Sequence, residues 1–501
     1  MSMCLVDVWE VAGIPVLEHN SLYISGKEED AMKRRHRPIF HLLPEDNWMN
    51  DPNGPIYIDG LYHLFYQHNP DEAKWGNIHW GHAVSKDLIR WSHRPIALFP
   101  SKEEGELHCF SGCIVIRDDG TPMIFYTSVG EGDRNAQSGA EQWAAVGSMD
   151  LNDWVKVHEN PVIEQSIHDE TLILEWRDPC VFRHGDDWMM VLGGSHQGHG
   201  CATLYRALDP DLYTWEYLGI LSQDTHGSDM WECPSFFPYR GRYILIYSPN
   251  SSMRYEIGDF DGHTFTCETA GILDYGGWQG LYAGITCEDG EGRRILFGWM
   301  PEVLRISIEH EGYAWAGVQS IPRVMEIDDQ GKLTIDPVEA VSLLHDAEAG
   351  LVLADELMSG TWVLPVRGKA LDISCTIAVP EEGEFGFELL RHETQREKTR
   401  IIFQSERQNV RIDREQSSVL EMPYATPVAA PWEARDDGQV SVRILLDHST
   451  LEVFVDSRIT LSTRAYPHFD SSEEVALFTD SPQGLRVVHL EVYPVHPARE
   501  D

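Results

Sequence analysis

"VSKDLIRW" (residues 84–91) closes an acidic turn on a tryptophan, and the chain does the same thing twice more. "GSMDLNDW" ends at Trp154 and "LDPDLYTW" at Trp215, so an Asp-Leu-x-x-Trp ending returns after 63 and then 61 residues. A weaker echo, "GDFDGHTF", ends at Phe265, 50 residues further on. Between these turns lie short β-rich runs bounded by Gly, Asp or Pro: "LYHLFYQH" (61–68), "TPMIFYTS" (121–128), "DWMMVLGG" (187–194), "RYILIYS" (242–248) and "RRILFGWM" (293–300). A period near 60 residues suits one four-stranded sheet with its loops, and radial repetition of such sheets is a propeller. The span from residue 40 to 335 has room for roughly five blades.

Past residue 335 the texture changes. "DPVEAVSLLHDAEAG" (336–350) has short helical character and reads as a linker. Beyond it Val440, Val442, Ile444 and Leu446 alternate at strict period two, "DHST" turns the chain, and "LEVFV" (451–455) and "LRVVHLEVY" (485–493) continue the pattern. Half-buried strands joined by turns indicate a β-sandwich of about 150 residues. The charged stretches "ARDDG" and "ETQREKTR" read as solvated hairpin tips. The expected fold is all-β: an N-terminal extension (1–36), a five-bladed β-propeller (37–335), a linker (336–350) and a C-terminal β-sandwich (351–501).

Composition narrows the function classes. With 39 basic against 81 acidic side chains the formal charge is −42, which repels phosphate backbones and anionic lipids. Nucleic-acid and membrane-surface partners are therefore disfavoured, and a neutral small molecule is not. No apolar run reaches the length of a membrane span, and "MSMCLVDVWEVAGIPV" lacks the basic flank of a secretory leader. The nine cysteines are scattered without a CxxC pair, so reduced thiols and a cytoplasmic setting are expected. No metal or cofactor is expected either: zinc-ligand spacing is missing, and "HQGHG" (196–200) reads as an exposed Gly-rich loop. Oligomeric state is not legible.

Set against the repeat, the polar clusters fall into phase. Asp51 precedes Trp91 by 40 residues, Ser111 precedes Trp154 by 43, Asp178 precedes Trp215 by 37 and Glu232 precedes Phe265 by 33. Equivalent phases near the start of successive blades lie on innermost strands, where side chains converge on one funnel. "NWMNDPNG" (47–54) reads locally as a tight turn, its Pro52 and Gly54 bending the backbone so that Asn50 and Asp51 face that funnel. Three convergent carboxylates, Asp51, Asp178 and Glu232, suit cleavage of an acetal or ketal, which needs an acid for the leaving oxygen and a carboxylate for the developing cation. Crowded like charges raise one pKa, keeping one group protonated while another stays ionised. Arg177 stands ready to hold Asp178 ionised or to donate to sugar hydroxyls. Trp48, Trp75, Trp80, Phe110, Trp176, Trp231 and Trp299 accompany the clusters, and each suits a blade core as well as a pocket wall.

These motifs carry a resemblance. "FHLLPEDNWMNDPNGPIY" (40–57), "YHLFYQHNPDEAKWGNIHWGHAVSKDLIRW" (62–91), "FSGC" (110–113), "WRDPCVF" (176–182), "MWECPSFFPY" (230–239) and "WAGVQSIPR" (315–323) follow in the order found in glycoside hydrolase family 32. "LLDHSTLEVFVDSRITLSTRAYP" (445–467) resembles that family's sandwich domain. The resemblance to this invertase, inulinase and levanase family implies a five-bladed propeller carrying the site, followed by the sandwich. It implies Asp51 as nucleophile, Glu232 as general acid/base and Asp178 as transition-state stabiliser beside Arg177. It further implies that Asn50, Gln67, Trp75, Phe110, Ser111, Cys233 and Trp299 line a fructosyl pocket, with Cys233 tuning the proton affinity of its neighbour Glu232. The implied activity is a retaining β-fructofuranosidase acting on sucrose or short fructo-oligosaccharides. Its alternatives are a fructosyltransferase, an exo-inulinase or levanase, and a non-catalytic sugar-binding propeller. Cys113, Ser235 and the segment "DYGGWQGLYA" (274–283), with Leu281 where an aromatic is usual, depart from the family pattern and bear on the pocket rim.

Overall fold

The computed structural model describes residues 34–302, 312–420 and 426–498. The N-terminal extension read from the sequence therefore lies almost wholly outside the described residues. From Asn47 onward the chain is all-β: five sheets of four or five strands, antiparallel apart from the parallel pairing of Asn47–Ile58 with Trp315–Ala316, then two six-stranded sheets.

The first strands of the five sheets are Asn47–Ile58, Glu106–Ile116, Leu174–His184, Trp231–Tyr239 and Tyr282–Glu288. Each packs against the next, and the fifth packs back against the first, so the five strands close a ring. The Asp-Leu-x-x-Trp repeat marks the turn into the outermost strand of the first three sheets. Trp91, Trp154 and Trp215 are the first residues of Trp91–Leu98, Trp154–Lys156 and Trp215–Gln223. In each turn the leucine (Leu88, Leu151, Leu212) takes a left-handed backbone with φ of 69°, 58° and 63° and plugs the core. The tryptophan indole then donates to that leucine's carbonyl at 3.0–3.1 Å. The repeat is thus a folding device, with no part in the site.

Both faces of each sheet are covered, which explains the continuous apolar runs of the second strands. Met189 and Val191 pack toward the fourth sheet while Met190 and Leu192 pack toward the second. Likewise Leu245 faces the third sheet, and Ile244 and Ile246 the fifth. Period-two alternation places neighbours in different cores.

The ring's inner strands share a second feature. Each carries a β-bulge at the same level, where two residues face one on the neighbouring strand. Residues 50–51 oppose 67, 110–111 oppose 127, 178–179 oppose 192, 233–234 oppose 247 and 283–284 oppose 298. The expected tight turn at 47–54 is therefore corrected: Asn47–Ile58 is one continuous strand, with Pro52 following the bulge and Gly54 (φ 43°) at a second register shift. Proline lacks the ladder N–H and is tolerated at bulges.

In the C-terminal sheets, Val440, Val442, Ile444 and Leu446 all enter the core between the two layers, as their alternation predicts. Leu445, on the opposite face, joins Phe454 in a core shared with the first and fifth sheets of the ring. The "ETQREKTR" tip is only partly solvated. Glu397 is fully buried and accepts hydrogen bonds from the N–H groups of Val419, His468 and Phe469 and from Ser472 Oγ, because the 418–420 and 467–472 loops fold over it.

An ionic seam joins the ring to the sandwich. Arg323, wholly buried, donates to Asp274 at 2.9 Å and to Glu452 at 2.6 Å. His41 sits between Asp447 (2.9 Å) and Glu452 (3.0 Å). Burial alone would lower its pKa, but the two carboxylates hold it above the ordinary histidine value. Removing one partner of such a network strands the others in a low-dielectric interior. Arg323→Ala is expected to destabilise the protein by about 3–5 kcal/mol, read as a lower midpoint in thermal or urea unfolding.

Candidate active site

The bulges aim alternate residues of the inner strands at the ring's centre, and the chain places its polar clusters there. Asn50 and Asp51 form the first bulge, Phe110 and Ser111 the second, Asp178 begins the third, and Cys233 begins the fourth beside Glu232. Asp178 (φ 65°) and Cys233 (φ 48°) take left-handed backbones, a strain of roughly 1 kcal/mol or more each, which functional positions commonly carry. In an unbulged strand Arg177 and Asp178 would point to opposite faces; the bulge lets both serve one site. Gly112, next to Ser111, has no alternative, since a Cβ there would lie 2.0 Å from the Phe125 carbonyl oxygen.

A connected set of hydrogen bonds ties the cluster together. Ser111 Oγ donates to Asp51 Oδ2 at 2.6 Å, and Gln67 Nε2 donates to the same oxygen at 3.2 Å. Asn50 Nδ2 reaches Asp51 Oδ1 at 3.2 Å and Gln67 Oε1 at 2.7 Å. The Cys233 thiol lies 3.6 Å from Asp51 Oδ2 and 3.5 Å from Asp178 Oδ2, and its backbone N–H donates to Asp178 Oδ2 at 2.8 Å. Cys233 thus bridges the two aspartates, and the tuning expected of it toward Glu232 falls on them instead. Its left-handed backbone turns the thiol inward while Glu232 reaches elsewhere.

Glu232 is held by Arg177 and by a residue the sequence did not single out. Arg177 Nη2 donates to Glu232 Oε1 at 2.8 Å, and the Tyr282 hydroxyl donates to Oε2 at 2.6 Å. The expected pairing of Arg177 with Asp178 is corrected accordingly: the guanidinium is directed at Glu232 and at Glu175 (2.7 Å), and it reaches Asp178 through its field alone. Thr127 and Gln319 were also missed; Thr127 Oγ1 accepts the Asp178 N–H at 2.9 Å, and Gln319 Nε2 donates to the Asn50 carbonyl at 2.6 Å. Gln67 and Thr127 are the residues facing the first two bulges, a role visible only once strand register is known. Tyr282 lies inside "DYGGWQGLYA", a segment distinguished in sequence by its length and by Leu281.

Aromatic groups form two walls. Trp75, 37% exposed, meets His108 and Phe110 with ring centroids 5.0 and 6.1 Å apart, and Phe110 is next to Ser111. Trp48 donates its indole N–H to Asn50 Oδ1 at 2.6 Å, and Trp299 packs edge-on behind it at 5.9 Å. Trp299 is thereby a supporting layer beneath Trp48. Trp80, Trp176 and Trp231 are fully buried core residues.

Burial dominates the electrostatics. It pushes Asp51 up to about 6, against the Ser111 hydrogen bond that pulls down, with the Glu232 charge adding to the rise. Asp178 is pushed up to about 7 by burial, opposed by Arg177 and reinforced by Glu232 and Asp51. Burial and the carboxylates keep the Cys233 thiol and Tyr282 phenol protonated. Among the described residues, no group of three or more His, Cys, Asp or Glu side chains could hold a metal ion. Buried carboxylates with raised proton affinities, hydroxyl and amide donors and aromatic walls can do acid/base and nucleophilic work on a polyol.

Comparison with known proteins agrees in kind. Residues 41–337 match the model for the glycosyl hydrolases family 32 N-terminal domain, and residues 343–494 match the family 32 C-terminal model. The chain is 30% identical to an insoluble β-fructofuranosidase isoenzyme of Daucus carota, covering 95% of this chain and 91% of that one. It is also 30% identical to a sucrose-6-phosphate hydrolase of Zymomonas mobilis, over 89% and 91% of the two chains. The crystal structure of fructan 1-exohydrolase IIa from Cichorium intybus in complex with 1-kestose superposes with a TM-score of 0.81 at 26% identity, covering 92% of this chain and 98% of that one.

Proposed function

The chain belongs to glycosyl hydrolase family 32, and from that membership we propose that it is a retaining β-fructofuranosidase that releases terminal fructosyl units from sucrose or short fructo-oligosaccharides. In this reading the five ringed sheets are the blades of a five-bladed β-propeller over residues 37–335, joined by a linker (336–350) to the β-sandwich (351–501). Asp51 is the nucleophile, Glu232 the general acid/base and Asp178 the stabiliser of the cationic transition state.

The observation that carries the reading is the convergence of Asp51, Asp178 and Glu232 around Cys233 and Arg177 on neighbouring bulges. Asp51 attacks the anomeric carbon as the glycosidic bond breaks, and its electron pair leaves with the departing oxygen, which takes the proton of Glu232. Glu232, now ionised, removes a proton from water. The water oxygen displaces Asp51 and returns fructose with its configuration kept. Asp178 balances positive charge on the ring, and Asn50, Gln67 and Ser111 fix the direction of the Asp51 carboxylate. Trp75 and Phe110 supply an apolar wall.

A neutral substrate fits the charge of the site, where Glu232, Asp178 and Glu175 surround the Arg177 guanidinium. Incubation with sucrose, 1-kestose, inulin and levan, with products followed over time, tests the assignment. Release of β-fructofuranose before mutarotation supports it, and trisaccharide formation from concentrated sucrose would shift it to a fructosyltransferase. Release of fructose with inverted configuration would end it.

The acidity shifts set the pH dependence. Asp51 and Asp178 must be ionised, and both bind a proton more tightly than an exposed aspartate. Asp51 and Asp178 titrate as a coupled pair, so kcat/KM on sucrose is expected to climb as pH rises through about 6 to 7. An acid limb at the usual aspartate position, near pH 4, would contradict this.

A further inference from the structure

The Arg177 guanidinium stands between two carboxylates. Nη2 donates to Glu232 Oε1 at 2.8 Å, while Nη1 donates to Glu175 Oε2 at 2.7 Å and to the Glu175 carbonyl at 3.3 Å. The Arg177 and Glu175 side chains are 10% and 11% exposed, so their pairing is little screened by water. Glu175 precedes Arg177 by two residues on the strand Leu174–His184, at a second register shift where residues 175–176 oppose 194. Its backbone is left-handed (φ 52°), and its N–H donates to the Gln137 carbonyl at 2.8 Å, which anchors it from a neighbouring loop. A strained, anchored glutamate buried beneath the arginine that grips the acid/base residue needs a reason.

We propose that Glu175 is a positioning residue for the proton-transfer steps: it holds Nη1 of Arg177, aims Nη2 at Glu232 and offsets part of the guanidinium charge, so that Glu232 keeps the proton it must deliver. This rests on the retaining reading given above.

The charge balance supplies the reason. The charged groups around Arg177 are Glu232, Asp178 and Glu175, with Asp51 facing Glu232 and Asp178. Tyr282 and Cys233 face the same carboxyls as neutral donors. Without Glu175 the full cation would act on Glu232 from hydrogen-bonding distance and favour its ionised form. Hydrolysis of a poor leaving group such as glucose would then fail at lower pH, because the proton is gone before the bond breaks. A substrate whose leaving group needs no proton would not notice.

Glu175→Gln in the full-length chain separates charge from shape, since the amide oxygen can still accept from Nη1. The alkaline limb of kcat/KM on sucrose is expected to move about one pH unit lower, giving roughly a tenfold loss near pH 8 and less than about a twofold loss near pH 5. Hydrolysis of p-nitrophenyl β-fructofuranoside should keep the parent profile. Glu175→Asp, with the charge retained, should return the limb toward the parent position, and thermal melting of each variant checks the fold. A Glu175→Gln profile that superimposes on the parent, or one lowered by the same factor at every pH with both substrates, overturns the positioning role. A parent protein inactive on every fructoside would instead overturn the retaining reading beneath it.

Discussion

Asp51→Asn is expected to lower kcat on sucrose by about 10⁴-fold or more, because an amide cannot form the fructosyl ester and no second nucleophile replaces it. The Asp51 carboxylate is fixed from both sides, by Ser111 and Gln67 on Oδ2 and by Asn50 on Oδ1. The asparagine variant keeps the shape and most of these partners, so substrate binding should change little while turnover collapses. Rapid-quench or mass-spectrometric trapping would show the covalent adduct in the parent and none in the variant. Turnover within tenfold of the parent would remove Asp51 from the nucleophile's place.

The same substitution should stabilise the fold, in one pH range only. The folded-state pKa of Asp51 is raised from 3.8 to about 6, so the folded protein binds the proton more tightly than the unfolded chain. Ionised Asp51 therefore costs stability, and the cost appears as pH rises through that window. Above it the penalty relieved by asparagine is up to about 3 kcal/mol, and below pH 4 it vanishes. Melting curves of parent and variant at both pH values would show the difference.

Glu232→Gln should lower sucrose hydrolysis by about 10²–10⁴-fold, with a signature that distinguishes the acid from the nucleophile. Tyr282 and Arg177 hold the two carboxyl oxygens, so the amide can occupy the same place without donating a proton. A phenolate leaving group needs no such proton, and formation of the fructosyl intermediate from p-nitrophenyl β-fructofuranoside should survive. Breakdown of that intermediate should slow, because water has lost its base, and azide, which needs none, should accelerate it. Equal losses on sucrose and the aryl fructoside, without azide rescue, would assign Glu232 a structural part.

Much of this molecule is written along the chain. The recurrence of Trp91, Trp154 and Trp215 carries the repeat, since a turn closed by an indole-to-carbonyl bond needs only local residues. The phase of Asp51, Ser111, Asp178 and Glu232 against those turns marks four inner strands, because ringed sheets of similar length return equivalent positions to the same radius. Period-two alternation at Val440, Val442, Ile444 and Leu446 likewise announces a two-layer core.

What the chain could not announce is which way each group points. Tight turns and bulged strands draw on the same residues, so "NDPNG" reads as a turn until the pairing of 50–51 with 67 is known. Register is a property of two strands, and no single strand encodes it. The bulges bring Cys233 to the aspartates, send Arg177 to Glu232 and Glu175, and let Tyr282 meet Glu232 from a strand 50 residues away. The tertiary structure also decided that Arg323 and Glu397, charged and ordinary in sequence, are buried. Local chemistry chose the residues, and the closing of the ring and the docking of the sandwich chose their partners, because direction and burial depend on what arrives from elsewhere in the chain.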